Sequence, residues 1–253
     1  MNKLTIVASN RDRFDLNSNA TKWFLKSLEA QTNKNFELIL ADGGSANVDE
    51  IKKYFKNKDG IKMSVVELPL GKEFERSKLN NVGVRNAKTP YALTTDVDMF
   101  FCKNFVKTIL EIASPKIFIE SRTLYWKPAI AQRIYKGILD PINDIEHCKI
   151  GRIKKRTSAG GCQCMHVDSW SKLKGFNEAL VGWGSEDVEL LKRAKLIGLK
   201  VLWMGEKDDV MVFHQPHPKP DLKNDLECQG RNKRIFSKST LNVNNDGWGG
   251  IYE

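Results

Sequence analysis

Leu93-Thr94-Thr95-Asp96-Val97-Asp98-Met99-Phe100-Phe101 is an apolar run that ends in two carboxylates spaced i, i+2 and then turns apolar again. Read as a buried strand from Tyr91 to Thr95, it delivers Asp96 and Asp98 to the carboxyl edge of a sheet. Open α/β sheets bind ligands at that edge. Two carboxylates there suit a hard divalent cation, which takes oxygen ligands and shares them with substrate phosphates. Alone, Asp-x-Asp is a weak signal, because such pairs are frequent in exposed turns. Its weight depends on what else the chain brings to the same edge.

Upstream, strand-like runs alternate with helical ones. Leu4 to Ala8 reads as a strand, followed by the polar loop Ser9-Asn10-Arg11-Asp12-Arg13. Asn19 is expected to cap a helix reaching about Gln31, with Trp23, Phe24, Leu25 and Leu28 on its apolar side. Phe36 to Ala41 is a second strand, ending in Asp42-Gly43-Gly44-Ser45, where glycines allow a tight turn and close approach to a ligand. Asn47 caps a helix with Ile51, Tyr54 and Phe55. Met63 to Leu68 is a third strand, and Phe74 to Ala87 a helix with Leu79, Val82 and Val84 inward. Short loops between such elements indicate βαβ units and a mainly parallel, Rossmann-like sheet.

Downstream the pattern loosens. Ile117 to Glu120 reads as a strand, Pro128 to Gly137 as a helix, and the basic segment near residue 150 as loop. Gly160-Gly161 leads into a strand through Val167, and Asp168 is expected to cap a short helix. The loop from Gly175 carries Gly182-Trp183-Gly184-Ser185-Glu186-Asp187 into an amphipathic helix, with Leu190, Leu191, Ala194 and Ile197 inward and Gly198 as its stop. Val201 to Met204 and Val210 to Phe213 are strands. Beyond Gln215 the chain is polar and basic, and its last Asn-Asp-Gly-Trp-Gly-Gly piece reads as a loosely held tail.

A chain of 253 residues, 41% hydrophobic, can bury one substantial core. No apolar run approaches the ~20 residues of a membrane helix. The N-terminus enters a strand pattern without a signal-like apolar region, so the expected compartment is the cytoplasm. Five irregularly spaced cysteines fit reduced thiols rather than a disulfide framework. The net charge of +10 favours anionic partners: nucleotide phosphates, acidic glycans, nucleic acid or an anionic membrane surface touched peripherally. Much of it gathers in 149–156, with five cations in eight residues. A solvated lysine-rich surface accounts for such charge equally well.

Three further groups could carry chemistry. Glu186 and Asp187 fall in a helix first turn, where the positive helix end should keep both ionised; Trp183 beside them suits a sugar ring, although an acidic first turn also serves as simple capping. His214 ends a strand at the same edge and suits a Mn-like ion, although a lone histidine is more often structural. Met211 would be a soft ligand for a hard metal. Cys162, Cys164 and His166 share a strand face, but their spacing is no standard zinc motif and reads as buried cysteines.

Phe74-Glu75-Arg76-Ser77-Lys78-Leu79-Asn80-Asn81-Val82-Gly83, Thr95-Asp96-Val97-Asp98, Gly160-Gly161, Gly175-Phe176-Asn177, Gly182-Trp183-Gly184-Ser185-Glu186-Asp187 and Met211-x-x-His214 follow in this order. Together they resemble the GT-A-fold glycosyltransferases of the β-1,4-galactosyltransferase type, with chondroitin-polymerase-like and bacterial family 2 relatives. Val7-Ala8-Ser9-Asn10-Arg11 and Asp42-Gly43-Gly44-Ser45 resemble the family 2 nucleotide end. The resemblance runs from about Leu4 to His214. The Trp-Gly-x-Glu-Asp block combined with Asp-Val-Asp is what makes it specific.

The resemblance implies one GT-A domain over 1–253: a nucleotide-binding half (1–100), an acceptor and catalytic half (101–214), and a mobile loop and tail (215–253). It implies that Ser9, Arg11, Asp42, Phe74, Arg76, Asp96 and Val97 serve the nucleotide. Asp98, His214 and Met211 would hold Mn2+ or Mg2+. Trp183, Glu186 and Gly161 would bind the sugar, and Asp187 would be the catalytic base. The implied reaction is inverting transfer of galactose, GalNAc, GlcNAc or glucose from a UDP-sugar to a hydroxyl of a glycan or glycosylated acceptor, with no nucleic-acid partner. Two departures stand out. The second strand ends Asp-Gly-Gly-Ser where family 2 has Asp-Asp-Gly-Ser, and the bulky galactosyltransferase residue before Ala-Gly-Gly is Ser158 here, leaving room for an N-acetyl group. A metal-dependent nucleotidyltransferase would share the sheet and acidic edge but leaves Trp183 beside Glu186-Asp187 unexplained. A non-catalytic basic nucleic-acid-binding protein would explain the charge but not the acidic edge.

Overall fold

A computed structural model of the chain describes residues 3–57, 60–71, 73–143, 151–153, 160–182, 184–205, 210–217 and 222–250, with backbone alone at 151–153 and 222–225. Trp183, Ser158 and the remainder of the 149–156 cluster lie outside the described residues.

The frame is a seven-stranded sheet. Its strands are β1 (Leu4–Asn10), β2 (Phe36–Asp42), β3 (Lys62–Glu67), β4 (Tyr91–Asp96), β6 (Ile117–Ser121), β9 (Cys162–His166) and β10 (Lys200–Met204), in the order β10-β6-β9-β4-β1-β2-β3. Only β9 runs against its neighbours β4 and β6; every other pairing is parallel. β1 and β2 are buried along their whole length, which is why they read as unbroken apolar runs rather than alternating ones. A second sheet, β5-β11-β7-β8, comprises β5 (Met99–Phe101), β7 (Thr123–Trp126), β8 (Gly151–Ile153) and β11 (Val212–His214).

Alternation sends Ile6, Leu38 and Leu40 to one face, against Phe24 and Phe105 of the helices Asn19–Glu29 and Phe105–Ile112. Val7 and Ile39 go to the other face, against Leu79, Trp170, Phe176 and Leu190. A third cluster around Phe100, Trp126 and Phe213 fills the second sheet. On the second face the helix Arg76–Asn86 lies directly on β1: a Cβ on Gly83 would sit 2.2 Å from Val7 Cγ1. The helix Glu186–Leu196 is fixed by a fully buried ion pair, Glu189–Arg193 at 2.7 Å. Arg193 also donates to the Leu173 and Gly175 carbonyls at 2.7 and 2.8 Å.

Several local expectations need correction. Ser18, not Asn19, caps the first helix, its hydroxyl accepting from the Thr21 amide at 3.1 Å. Asn47 stands just before the helix Val48–Asn57, its carbonyl accepting from the Ile51 amide at 3.2 Å while its side-chain amide donates to the Phe14 carbonyl. His166, not Asp168, caps the helix Val167–Leu173 through Nδ1. Residues 151–153 form an edge strand on β7 rather than loop. The stretch up to residue 250 is held rather than loose. A helix spans Leu222–Lys238, Trp248 is buried in the second-face core, and the Trp248 carbonyl accepts from Arg85 Nη1 at 2.6 Å. Asn244 and Gly249 bond to the turn at 174–178. One buried indole outweighs the polar residues around it. Among the described residues no helix is long and apolar enough to cross a membrane.

Candidate active site

Strand register brings the first half of the site together. β1 ends beside β4 with Ser9 opposite Asp96, and beside β2 with Asn10 opposite Asp42. The chain then turns so that Asp98 lies just beyond β4, where the antiparallel pair β5–β11 sets His214 opposite Met99. The Gln215 amide donates to the Asp98 carbonyl at 3.0 Å and fixes the strap that follows β11.

Arg76 is the hub. It opens the helix Arg76–Asn86, is buried, and engages three carboxylates: Nε donates to Asp96 at 2.8 Å, and Nη1 to Asp187 at 3.0 Å and Glu186 at 3.4 Å. Burial works against its charge, but Asp187, Asp96 and Glu186 outweigh that and hold its pKa well above the ordinary value. One cation thus ties the end of β4 to the first turn of the helix Glu186–Leu196.

That first turn departs from expectation. Ser185 occupies the cap position with φ of +79° and makes no side-chain cap bond. Glu186 does not remain a simple carboxylate. Burial, reinforced by the charge of Asp187 and opposed by Arg76, raises its pKa to about 7, and its Oε2 has no hydrogen-bond partner. The helix end is too weak to offset desolvation of a carboxylate. Asp187 keeps 16% of its side chain accessible and is framed by Gly160, whose Cβ would lie 3.2 Å from Oδ2.

Sequence reasoning missed Glu120. At the end of β6 it is fully buried, accepting from the Gly160 amide at 3.0 Å and from Gln163 Nε2 at 2.7 Å. Burial, then the charge of Asp187, pushes it well above the ordinary carboxylate range. Gln163 also donates to the Asp187 carbonyl at 3.0 Å, so Glu120 and Gln163 together position the turn that carries Asp187. A charge closing the apolar run Ile117-Phe118-Ile119 was the available signal.

The second centre is Asp98, His214 and His217, with one ligand atom from each lying within 4.8 Å of the others. Asp98 Oδ1 is 3.7 Å from His214 Nε2, and Oδ2 is 3.5 Å from His217 Nε2 and 3.4 Å from Arg13 Nη1. Burial raises the Asp98 pKa and His214 opposes the rise. Asp98 Oδ1 is buried and makes no hydrogen bond. A buried carboxylate oxygen without a partner is costly unless something cationic meets it, so the set fits a divalent cation. His214 is oriented by stacking on Tyr125 at 5.0 Å.

Other expected residues stand elsewhere. Met211, just before β11, packs in the cluster of Phe100, Trp126 and Phe213. The Val97 side chain is buried in the core. Asp42 is fully buried, accepting from Asn10, Gly44 and Ser45 at 2.6 to 2.9 Å, and shapes its own turn. Ser9 is buried at the edge with an unpartnered hydroxyl. Arg11 donates to the Gly71 carbonyl at 2.6 Å, and exposed Phe74 accepts at its carbonyl from the Gly182 amide at 3.0 Å; both hold the loop leading to Arg76. Gly161 adopts φ of +95°, and a Cβ there would meet Met99 and Thr123 within 2.7 Å, so it joins the two sheets where no larger residue fits. Cys162 and Cys164 are buried thiols raised by desolvation.

The chain is similar to known proteins. The family described as glycosyl transferase family 2 matches residues 17–116, and that described as N-terminal domain of galactosyltransferase matches 143–215. Chondroitin sulfate synthase 3 of Homo sapiens is 25% identical over 207 residues, 77% of this chain and 22% of that protein, so the chain spans only a minor part of its relative's length. Among solved structures, S. aureus TarS 1-349 in complex with UDP-GlcNAc matches with a TM-score of 0.62 at 15% identity, over 98% of this chain and 69% of that one. The mannosyltransferase PcManGT from Pyrobaculum calidifontis, in complex with GDP-Man and Mn2+, matches with 0.59 at 13% identity, over 84% and 56%. At these identities the structural likeness speaks for the fold, which is GT-A.

Proposed function

We propose that the chain is a family 2 glycosyltransferase of the chondroitin-polymerase and galactosyltransferase type, which moves a hexose or N-acetylhexosamine from a UDP-sugar to a glycan hydroxyl with inversion, aided by Mn2+ or Mg2+. The observation that carries this reading is the junction made by Arg76, which sets the Asp96 end of β4 against Asp187. A nucleotide edge and a base-bearing turn are thereby parts of one site.

Asp187 is the base. It accepts the proton of the acceptor hydroxyl while that oxygen bonds to the anomeric carbon from the face opposite UDP. The bond from the anomeric carbon to the diphosphate oxygen breaks, and its electron pair leaves on UDP. Arg76 holds the Asp187 carboxylate at 3.0 Å in one orientation. Glu186, poised near neutrality with a free Oε2, can donate or accept a hydrogen bond with sugar hydroxyls. Asp98 and His214 would hold the metal, and Asp96 would face the ribose. When bound, a divalent cation supplies charge neutralisation to the diphosphate leaving group. The UDP-GlcNAc complex of TarS and the GDP-Man and Mn2+ complex of PcManGT support a nucleotide-sugar donor and a metal. A nucleotidyltransferase would need the metal edge but not Glu186 and Asp187.

The test is a screen of UDP-galactose, UDP-GalNAc, UDP-GlcNAc and UDP-glucose with Mn2+ and Mg2+, reading free UDP. Metal-dependent release from at least one donor is expected. Release from none, with the folded protein, would overturn the reading.

A further inference from the structure

We propose that Asn232, on the helix Leu222–Lys238, is a positioning residue for the transfer: it holds the turn at 181–184 that leads into Glu186 and Asp187. The inference rests on the reading of Asp187 as the base and adds a residue outside the site to it.

The turn does not hold itself. Gly182, Gly184 and Ser185 all have positive φ, at +75°, +105° and +79°, and Ser185 makes no side-chain cap bond. Backbone of this kind persists only where its surroundings fix it. The fixing group is one fully buried amide. Asn232 Nδ2 donates to the Val181 carbonyl at 3.1 Å and to the Gly184 carbonyl at 2.9 Å, so it bridges the chain on both sides of position 183. Its Oδ1 has no partner, so the amide serves through its two N–H donors alone.

Neighbours on the same helix complete the grip. Arg231 Nη2 supplies a second donor to the Val181 carbonyl at 2.8 Å. A Cβ on Gly182 would lie 2.6 Å from Cys228 Sγ, and one on Gly184 would lie 3.2 Å from Gln229 Cγ. The two glycines of Gly182-Trp183-Gly184 thus serve a close seat for the helix as well as the turn's own backbone. The helix also reaches the loop before Arg76: Arg231 Nη1 is 3.6 Å from Glu73 Oε1, and the Gly182 amide already donates to the Phe74 carbonyl. The two chain segments that meet at Arg76 are therefore braced from one helix. Small displacements of a reacting group are costly in rate, so this brace should be felt in turnover rather than in nucleotide binding.

The test uses the full chain and the donor from which wild type releases UDP fastest, with kcat, UDP affinity by calorimetry and Tm measured together. In Asn232→Ala, kcat should fall at least about tenfold while UDP affinity stays within about twofold. Asn232→Asp keeps the size but cannot donate, and should lose at least as much; a residue that only filled space would tolerate it. Arg231→Ala removes one of the two donors to Val181 and should lose less. Asn244→Ala loosens the same C-terminal stretch at the Lys174 and Phe176 carbonyls, and should lower Tm while leaving kcat near wild type. A folded Asn232→Ala with kcat within about twofold of wild type overturns the proposal, and so does an equal loss of kcat in Asn244→Ala. If neither Asn232 variant folds, Arg231→Ala decides, and unchanged kcat there overturns it. These results leave Asp187 as the base. Wild type that releases no UDP from any donor overturns that reading, and the proposal with it.

Discussion

Replacing Glu186 by Gln should stabilise the protein, and only above about pH 5. The side chain is buried beside Asp187, and its pKa is raised from 4.5 to about 7. A carboxylic acid with a raised folded pKa keeps its proton better folded than unfolded. Its contribution to stability is therefore fully present below pH 4.5 and is lost as pH rises through 7. The distance from 4.5 to about 7 corresponds to roughly 3 kcal/mol. Glutamine has nearly the same shape and nothing to ionise. The difference between Glu186→Gln and wild type should thus grow by roughly 3 kcal/mol between pH 5 and pH 8. For a chain of this size that corresponds to a difference in Tm growing by roughly 6–12 °C. Thermal melts by circular dichroism at half-unit pH steps, without nucleotide or metal, measure it. Titrating groups remote from Glu186 are common to both proteins and cancel. Two melting curves that stay parallel from pH 5 to pH 8 would refute the reasoning.

Three further outcomes are expected. Asp98→Ala should abolish the metal-dependent part of UDP binding while leaving the melting temperature near wild type, as calorimetry with and without Mn2+ will register. Gly83→Ala drives a methyl against Val7 Cγ1 and should cost about 1–3 kcal/mol in denaturant unfolding, with the helix Arg76–Asn86 displaced from β1. Arg193→Ala leaves the fully buried Glu189 without its partner and should cost about 3–5 kcal/mol by the same measurement.

The sheet was legible in the sequence because buried parallel strands advertise themselves: Leu4 to Ala8, Phe36 to Ala41 and Tyr91 to Thr95 are short apolar runs that end at polar turns. Asp98, His214 and Asp187 were legible because each closes or opens such an element. What escaped depended on distance in space. Arg76 meets Glu186 and Asp187 from 110 and 111 positions away, and no local pattern states that one guanidinium will serve three carboxylates. Glu186 looked like an acid stabilised by a helix end, and only the surrounding protein reveals that desolvation wins. His217 follows His214 by three residues, but without the strap fixed by Gln215 the spacing carries no meaning. The helix Leu222–Lys238 is mostly polar. Among the described residues of the C-terminal stretch, the buried apolar side chains are Cys228 and Trp248, each too isolated to form a period.

The central claim is that Asp187 is the base of a sugar transfer from UDP. The direct measurement is metal-dependent UDP formation from the best donor and acceptor by wild type and Asp187→Asn, with UDP affinity measured in parallel. A fall of at least ~100-fold in turnover with UDP binding retained is predicted. Near-normal turnover in Asp187→Asn would contradict the account.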